Sequence, residues 1–479
     1  MQKKEENMNE WFNELIRETE LVDDRYNVKG FVIYREWSAM SLRKMYNIFE
    51  KILNKKNHMP LYMPVVIPEQ NFYKEAEHVK GFTPEVFWVT EHGDKEKLEE
   101  KLALRPTSET AFYQMYSLWI RSYNDLPYKR YQSGSVYRYE TKATRPFLRG
   151  REFLWIETHC AFRDEKAALD QIQEDMETTK EVITDVFGIP VLFLKRPQWD
   201  KFAGAVDTYA ADTITQNGKF LQTATTHYLG TNFAKAFNVK YKDEKEKDNL
   251  AHLTCYGPGI SRELGTIVAV HGDNKGLRFP FEIAPKQIVI VPILIKGKEK
   301  EVLKKVNEIY KKFSKDYDVI LDNNTQKTPG EKFYFWEQKG VPIRIEIGPK
   351  DIENKKAGIF RRDLNSKEFI LEKDLAKTIS KIAKEFTLNL KKQAEKTFKE
   401  NIVEVRDMKA LEKALENNKV VRAPFCSIDR DGEKYADMIK EKTGAEIKGV
   451  VLTKETAPKE QCIASGKPAK HYVYIGRGY

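Results

Sequence analysis

The chain is poor in several things that would direct its reading elsewhere. Among 479 residues there are four cysteines, at 160, 255, 426 and 462. They are too few and too scattered for a disulfide framework, so a reducing compartment is expected. No apolar run approaches the ~20 residues of a membrane span; Ile288–Leu294 is typical of what occurs, and no membrane partner is expected. The opening stretch MQKKEENMNEW has neither an apolar core nor a small-residue cleavage site, which leads us to expect a cytoplasmic address. There is no fixed-period repeat, no Gly/Ser-rich linker and no GxxxxGK[ST] anywhere; Gly257-x-Gly259 runs on to Arg262 instead of completing GxGxxG. Walker-type phosphate binding is thereby excluded and Rossmann binding is unsupported. What is present is 41 % hydrophobic and 32 % charged residues, enough for large cores under a heavily solvated surface. Lys and Arg number 82 against 72 acidic residues, a net +10 that permits a polyanionic partner.

At about 150 residues per domain the length suggests three domains. The first, 1–285, holds nearly all the tryptophan and the clusters RPTSET and RPFLRGREF. Its early part predicts an amphipathic helix through Met40, Met45, Ile48, Phe49 and Ile52, then a strand-like run, LYMPVVIPE, from Leu61. After Pro285 the style changes. The buried-strand run Ile288–Leu294, a helix faced by Val302, Val306, Ile309 and Phe313, and the strand-like segments 318–321, 341–348 and 358–364 alternate as in a small α/β domain, 286–395. Its last helix is predicted from Leu371, with Leu375, Ile379, Ile382, Phe386 and Leu390 on the dry side and Lys381, Lys384, Lys391 and Lys392 on or near the wet side. A turn-rich third domain, 396–479, closes on a strand, HYVYIG. The expected fold class is α/β: an α+β first domain with an antiparallel sheet, an α/β second domain and a small α+β third.

Chemistry concentrates in 131–162. Val136, Arg138 and Glu140 alternate, a basic loop follows, and Phe153, Trp155, Glu157 and His159 alternate again. Two antiparallel strands place Arg138, Glu140, Trp155, Glu157 and His159 on one surface. In a core these groups require a polar ligand to pair them; the alternative is a surface ion-pair ladder. Gln222, Thr225 and His227 add hydrogen-bonding groups, and Arg262 follows the glycines at an expected strand-to-helix junction. Arg138 and Arg262 are two separated anchors suited to bidentate phosphate contact.

The segment 131–162 resembles motif 2 of the class II aminoacyl-tRNA synthetases: Tyr137-Arg138-Tyr139-Glu140, a variable loop, then Arg149-Gly-Arg-Glu-Phe153. YMPVVIPE, with Pro64, resembles motif 1, and GPGISRELG, with Arg262, resembles motif 3. LRPTSETAF (104–112), EHVKGFTPEVFWVT (77–90) and GVPIRIEIGPKD (340–351) narrow the resemblance to the prolyl-tRNA synthetase family of archaeal/eukaryotic type, over essentially the whole chain.

The resemblance implies formation of prolyl-adenylate from L-proline and ATP, then transfer of proline to tRNA(Pro), by positioning and charge stabilisation without a protein nucleophile. It implies that Arg138 holds the α-phosphate, that Arg149 contacts ATP phosphate, that Glu140 lies at the adenine end and that Arg262 stacks on adenine or grips the γ-phosphate. Gln222 and Thr225 would face the nucleotide and its Mg²⁺. Thr107 and Glu109 would accept from proline's imino group, with Trp155, Glu157, His159 and His227 as other pocket positions and Phe202 as a candidate wall. Taken alone, Thr107-Ser-Glu109 also reads as a helix N-cap. Glu337, Arg344 and Lys350 match positions that read the anticodon guanines; the alternative is ordinary surface ion pairing. A C2 homodimer through motif 1 is expected. Two readings compete: another class II synthetase, and an inactive paralogue acting as a tRNA-binding module.

Three departures from the family pattern stand out. Many relatives carry four zinc-binding cysteines near the C-terminus; this chain has Cys426 and Cys462, with Tyr435 and Ser465 near the positions expected for the others. Two thiolates are too few for a closed tetrahedral site, so no structural zinc is expected. Thr158 and Cys160 stand where Gly and Thr are usual, which bears on the shape of the proline pocket. The motif 3 segment is one residue longer before Arg262, and the hundred or so residues between motifs 2 and 3 leave no room for a large editing insertion.

Overall fold

The computed structural model describes residues 2–72, 85–453 and 455–479; the part of EHVKGFTPEVFWVT before Glu85 lies outside the described residues. The first domain is organised by an antiparallel sheet whose central strands run, side by side, Leu192–Lys195, Asp207–Ile214, Lys219–Gly230, His252–Pro258, Glu152–Phe162 and Tyr128–Tyr137. The last two form the expected hairpin, with Gln132 opposite Glu157 and Arg130 opposite His159. The alternation in Glu152–Phe162 divides its side chains between two environments. Trp155, Glu157 and His159 line a cavity, while Cys160 and Phe162 pack with Ala168 and Ile172 of the helix Glu165–Thr179. That helix begins where Asp164 accepts the Ala167 N–H, a side-chain N-cap. The helices Glu36–Lys55 and Ile260–His271 pack together and share the largest apolar core.

The run from Leu61 is not one strand. Only Met59–Pro60 and Val66–Pro68 pair, with different sheets. Pro60, Pro64 and Pro68 each lack an N–H, so a continuous ladder is denied. The predicted strand polarity through Arg138 and Glu140 also stops early. The strand ends at Tyr137, Arg138 donates its N–H to Arg151 O, and the Glu140 N–H turns back to Arg138 O.

The second domain is a five-stranded sheet ordered Val319–Leu321, Ile288–Pro292, Ile343–Ile347, Lys356–Arg361, Ser366–Leu371, parallel at the first two pairings and antiparallel at the rest. Leu371 closes the edge strand, so the last helix starts at Leu375 and runs unbroken across residue 395 to Glu400. Thr328 and Glu331 make a reciprocal capping box, with Pro329 at the first helical position of Pro329–Gln338.

The third domain's strands, Ile402–Glu404, Val420–Phe425, His471–Gly478 and Glu446–Val451, continue the first domain's sheet, since Val450 pairs with Lys195 and Gly478 with Phe220. No described helix is long and apolar enough to cross a membrane.

Candidate active site

A cavity of about 680 Å³ opens on one face of the sheet. Its lining includes Thr107, Glu109, Arg138, Glu140, Arg149, Trp155, Glu157, His159, Phe202, Gln222, Thr225, His227 and Arg262. The structure thus gathers all thirteen first-domain candidates, which span 156 positions of sequence, around one space.

At one end lies a buried polar cluster. Thr107 Oγ1 donates to the Glu109 carboxylate. Ser108 occupies the N-cap position of the helix Glu109–Trp119, but its hydroxyl makes no cap bond there; it donates to Glu157 Oε1. The triplet thus does open a helix, as the N-cap reading has it, but its hydroxyls serve the buried cluster and not the cap. Glu157, 2 % exposed, also takes the Ser108 N–H at 3.2 Å, the Gln132 side-chain N–H and a bond with His159 Nε2 at 3.1 Å. Burial by itself raises this carboxyl; the His159 contact and the Ser108 and Gln132 bonds outweigh it and hold it below the usual range. Such a group is no member of a surface ladder. Phe112 stacks on His159 at 4.2 Å, and Phe202 packs against His227 at 4.7 Å. His227, bonded to Thr208 Oγ1 at 2.9 Å, is depressed to about 3 by burial and then by Arg138, Arg196 and His159. It is a neutral imidazole at neutral pH.

The other end is cationic. Arg138 Nε donates to Pro106 O at 3.0 Å, and the guanidinium lies over the rings of Phe153 and Trp155 at 5.1 and 5.8 Å. Arg262 Nε donates to Leu148 O at 3.1 Å, and Arg149 Nη2 to the main-chain oxygen of Tyr479 at 2.8 Å. Burial lowers the Arg262 pKa and the neighbouring Arg138 and Arg149 lower it further, the signature of like charges awaiting an anion. Close packing shapes this end. A Cβ on Gly257 would stand 3.2 Å from the Trp155 ring, and one on Gly265 would stand 2.6 Å from Phe147 Cβ in the motif 2 loop. Those two glycines let the strand and the helix approach what lies over them.

Several lining residues have no signal in the sequence. Arg196 makes a buried two-bond pair with Asp212, at 2.7 and 2.9 Å, and reaches Lys448 O at 2.7 Å. Lys448, Gly478 and Tyr479 enter the lining from the third domain, and Cys255 enters beside Glu109. Each depends on a long-range pairing that spacing does not express. Thr158 and Cys160, the departures in motif 2, occupy the alternate positions: Cys160 Sγ faces His58 Nδ1 at 4.0 Å on the far side of the sheet, so neither appears in the pocket lining.

In the second domain Arg344 bonds Glu337 Oε1 at 2.8 Å and Glu346 Oε1 at 2.9 Å, between the rings of Phe333 and Phe360. Lys350, exposed, is the second residue of the next short helix, Pro349–Glu353. In the third domain Cys426 and Cys462 are buried and adjacent, with Ser465 hydrogen-bonded to Cys426 and Lys467 beside Tyr435.

Comparison with known proteins agrees with this geometry. Residues 87–271 match the tRNA synthetase class II core domain (G, H, P, S and T), 287–385 an anticodon binding domain, and 408–479 the prolyl-tRNA synthetase C-terminal domain. The chain is 48 % identical to the proline--tRNA ligase of Thermofilum pendens over 99 % of this chain and 98 % of the relative. The chain belongs to the prolyl-tRNA synthetase family. The proline--tRNA ligase of Methanobrevibacter smithii is 41 % identical over 99 % and 100 % of the two chains. The Giardia lamblia prolyl-tRNA synthetase, solved with prolyl-adenylate, superposes with a TM-score of 0.96 at 34 % identity, covering 100 % of this chain and 99 % of that one.

Proposed function

We infer that the chain is a proline--tRNA ligase that activates L-proline with ATP and charges tRNA(Pro). One observation carries the reading: a carboxylate- and aromatic-lined compartment and a triple-arginine compartment share one cavity. Proline brings a secondary ammonium and an apolar ring. Glu109 and Thr107 are the acceptors for the ammonium, and Trp155, Phe202 and the neutral His227 wall the ring. A protonated imidazole there would repel the substrate. Glu157 and His159, locked together, fix the floor of the compartment.

In the first step a proline carboxylate oxygen forms a bond to the α-phosphorus, the bond from that phosphorus to the α,β-bridging oxygen breaks, and pyrophosphate leaves with that oxygen. Arg138 stabilises the charge that builds on the α-phosphate oxygens, from a position already fixed by Pro106 O, so no reorganisation is needed at the moment of reaction. Arg149 and Arg262 hold the departing phosphates, while Glu140 and Thr225 face the nucleoside. The side-chain oxygens of Gln222 and Thr225, both in the cavity lining, suit Mg²⁺, which favours hard oxygens and keeps much of its water; the ion would neutralise phosphate charge when bound. In the second step the terminal ribose hydroxyl of tRNA(Pro) attacks the prolyl carbonyl and AMP leaves.

In the anticodon-binding domain, Arg344 has Nη2 left over after its pairing with Glu337 and Glu346, and together with Glu337 and Lys350 it offers the donor and acceptor groups that guanine edges require. Motif 1 leaves Tyr62, Val65 and Val66 exposed, Tyr62 by 87 %, with Met59 exposed just before it, which supports a C2 homodimer through that segment. Two thiols at 426 and 462 support a C-terminal domain without zinc, and the role itself supports a cytoplasmic address. Domain limits of 1–285, 286–395 and 396–479 remain our division of the chain. The deciding experiment is charging of a tRNA(Pro) transcript with proline. Replacing the two anticodon guanines should reduce kcat/KM on the order of 10²-fold or more; charging of a threonine or glycine tRNA instead would overturn the reading.

A further inference from the structure

Behind the active-site sheet, on the face away from the cavity, the helix Glu165–Thr179 carries a buried polar ladder that the reaction as described does not use. Asp175, 2 % exposed, accepts from Thr226 Oγ1 at 2.7 Å and from Gln171 Nε2 at 2.8 Å. One turn on, Thr179 Oγ1 bonds Tyr256 OH at 3.0 Å. Gln171 also reaches Glu174, which binds Lys129 at 2.7 Å and His58 at 3.1 Å. Thr226 lies between Thr225 and His227, which both line the cavity, and Tyr256, whose hydroxyl reaches back to Thr179, contributes to that lining together with Cys255 and Gly257.

We propose that Asp175 is a positioning residue for proline binding: by holding the Thr226 hydroxyl from behind, it sets how far His227 and Thr225 project into the substrate cavity. The strand alternation is the lever. A side chain fixed on the back face fixes the pleat, and its neighbours on the front face follow. A buried carboxylate with two donors is a stiff attachment; an alcohol bonded to a main-chain carbonyl, the only other partner Thr226 has (Cys255 O at 3.4 Å), is a looser one.

The ladder also has a proton to exchange. Burial, opposed by the Thr226 and Gln171 bonds, pushes Asp175 up to about 7, with Glu174 raising it and Lys129 lowering it. The other titratable groups around it are Cys160 on Glu152–Phe162 and Tyr256 on His252–Pro258, with Cys255 on the cavity side of that same strand, all held neutral by burial, and His58, also depressed by burial. Protonation of Asp175 removes one acceptor site, and Thr226 then turns to Cys255 O.

The proposal rests on the proline-activating reading, and its test separates the two. Proline-dependent pyrophosphate exchange is measured from pH 6 to 8.5 for the full-length wild type, Asp175→Asn, Thr226→Val and Thr226→Ser, each also checked by thermal melting. Thr226→Val keeps the shape and loses the hydroxyl, so it remains informative where Asp175→Asn fails to fold. The expected result is a KM for proline raised about five- to tenfold in Thr226→Val with kcat within twofold, rescue by Thr226→Ser, and loss in Asp175→Asn of a pH dependence of KM centred near 7 in the wild type. A wild-type KM for proline in Thr226→Val, or one raised equally in Thr226→Ser, overturns the proposal and leaves the ligase reading standing. Absence of exchange in the wild type overturns both.

Discussion

At the scale of single residues, the account rests on which charges are paired and which are waiting. Glu109 sits in the proline compartment with only the Thr107 hydroxyl and the Cys255 thiol against it among the described residues, whereas Glu157 is saturated by Ser108, Gln132 and His159. Glu109→Gln should therefore raise KM for proline roughly 10- to 100-fold, the worth of a charge-assisted hydrogen bond, while KM for ATP stays within twofold in steady-state exchange assays. Glu263 makes a different prediction. It follows Arg262 directly, is 0 % exposed, and neither carboxylate oxygen has a hydrogen-bond partner among the described residues; burial raises its pKa well above the ordinary value, with Arg262 opposing. A carboxyl raised in the folded state contributes stability that is fully present below the unfolded pKa and is lost as pH rises from there toward the folded value. The slope is about 1.4 kcal/mol per pH unit. Glu263→Gln should thus be more stable than wild type at pH 8, with the difference vanishing near pH 4.5, as read from urea midpoints across pH. Sequence carried the identity of the charged residues but not this distinction, since nothing in TSE or SRELG says which carboxylate is saturated, waiting or orphaned.

At the scale of elements, the hairpin was the most legible part. Its alternation predicted which residues face together, because a pleated strand permits only two faces. Proline decides against the strand: LYMPVVIPE has an apolar strand's character, and its two prolines, with Pro60 just before them, break the ladder. The helix Ile260–His271 was legible only as a junction for Arg262. Its Gly265 is explained by the loop that lies on it, with Phe147 Cβ only 2.6 Å from where a Cβ would stand. Gly265→Ala should displace the loop that brings Arg149 to the cavity. We expect KM for ATP to rise several-fold with KM for proline unchanged; equal rises in both would point to general loosening of the domain. The continuation of the helix Leu375–Glu400 past residue 395 was not legible, since no break in periodicity marks it.

At the scale of the whole molecule, the third domain is continuous with the first. Glu446–Val451 pairs with Leu192–Lys195, Arg196 donates to Lys448 O, and Tyr479 meets Arg149. No local pattern could announce this, because the partners lie about 250 and 330 positions apart. The net charge of +10 also acquires a prediction at this scale. KM for tRNA should rise steeply with added salt, while proline-dependent exchange, which uses buried arginines and needs no tRNA, should change little between 50 and 200 mM. The central claim is that one cavity joins proline to the α-phosphate of ATP. The most direct test is ATP–pyrophosphate exchange with proline as the added amino acid, in wild type and Arg138→Ala. The account predicts exchange that requires proline, is not supported by threonine or glycine, and falls on the order of 10²- to 10³-fold in the variant; exchange independent of proline, or unaffected by loss of Arg138, would contradict it.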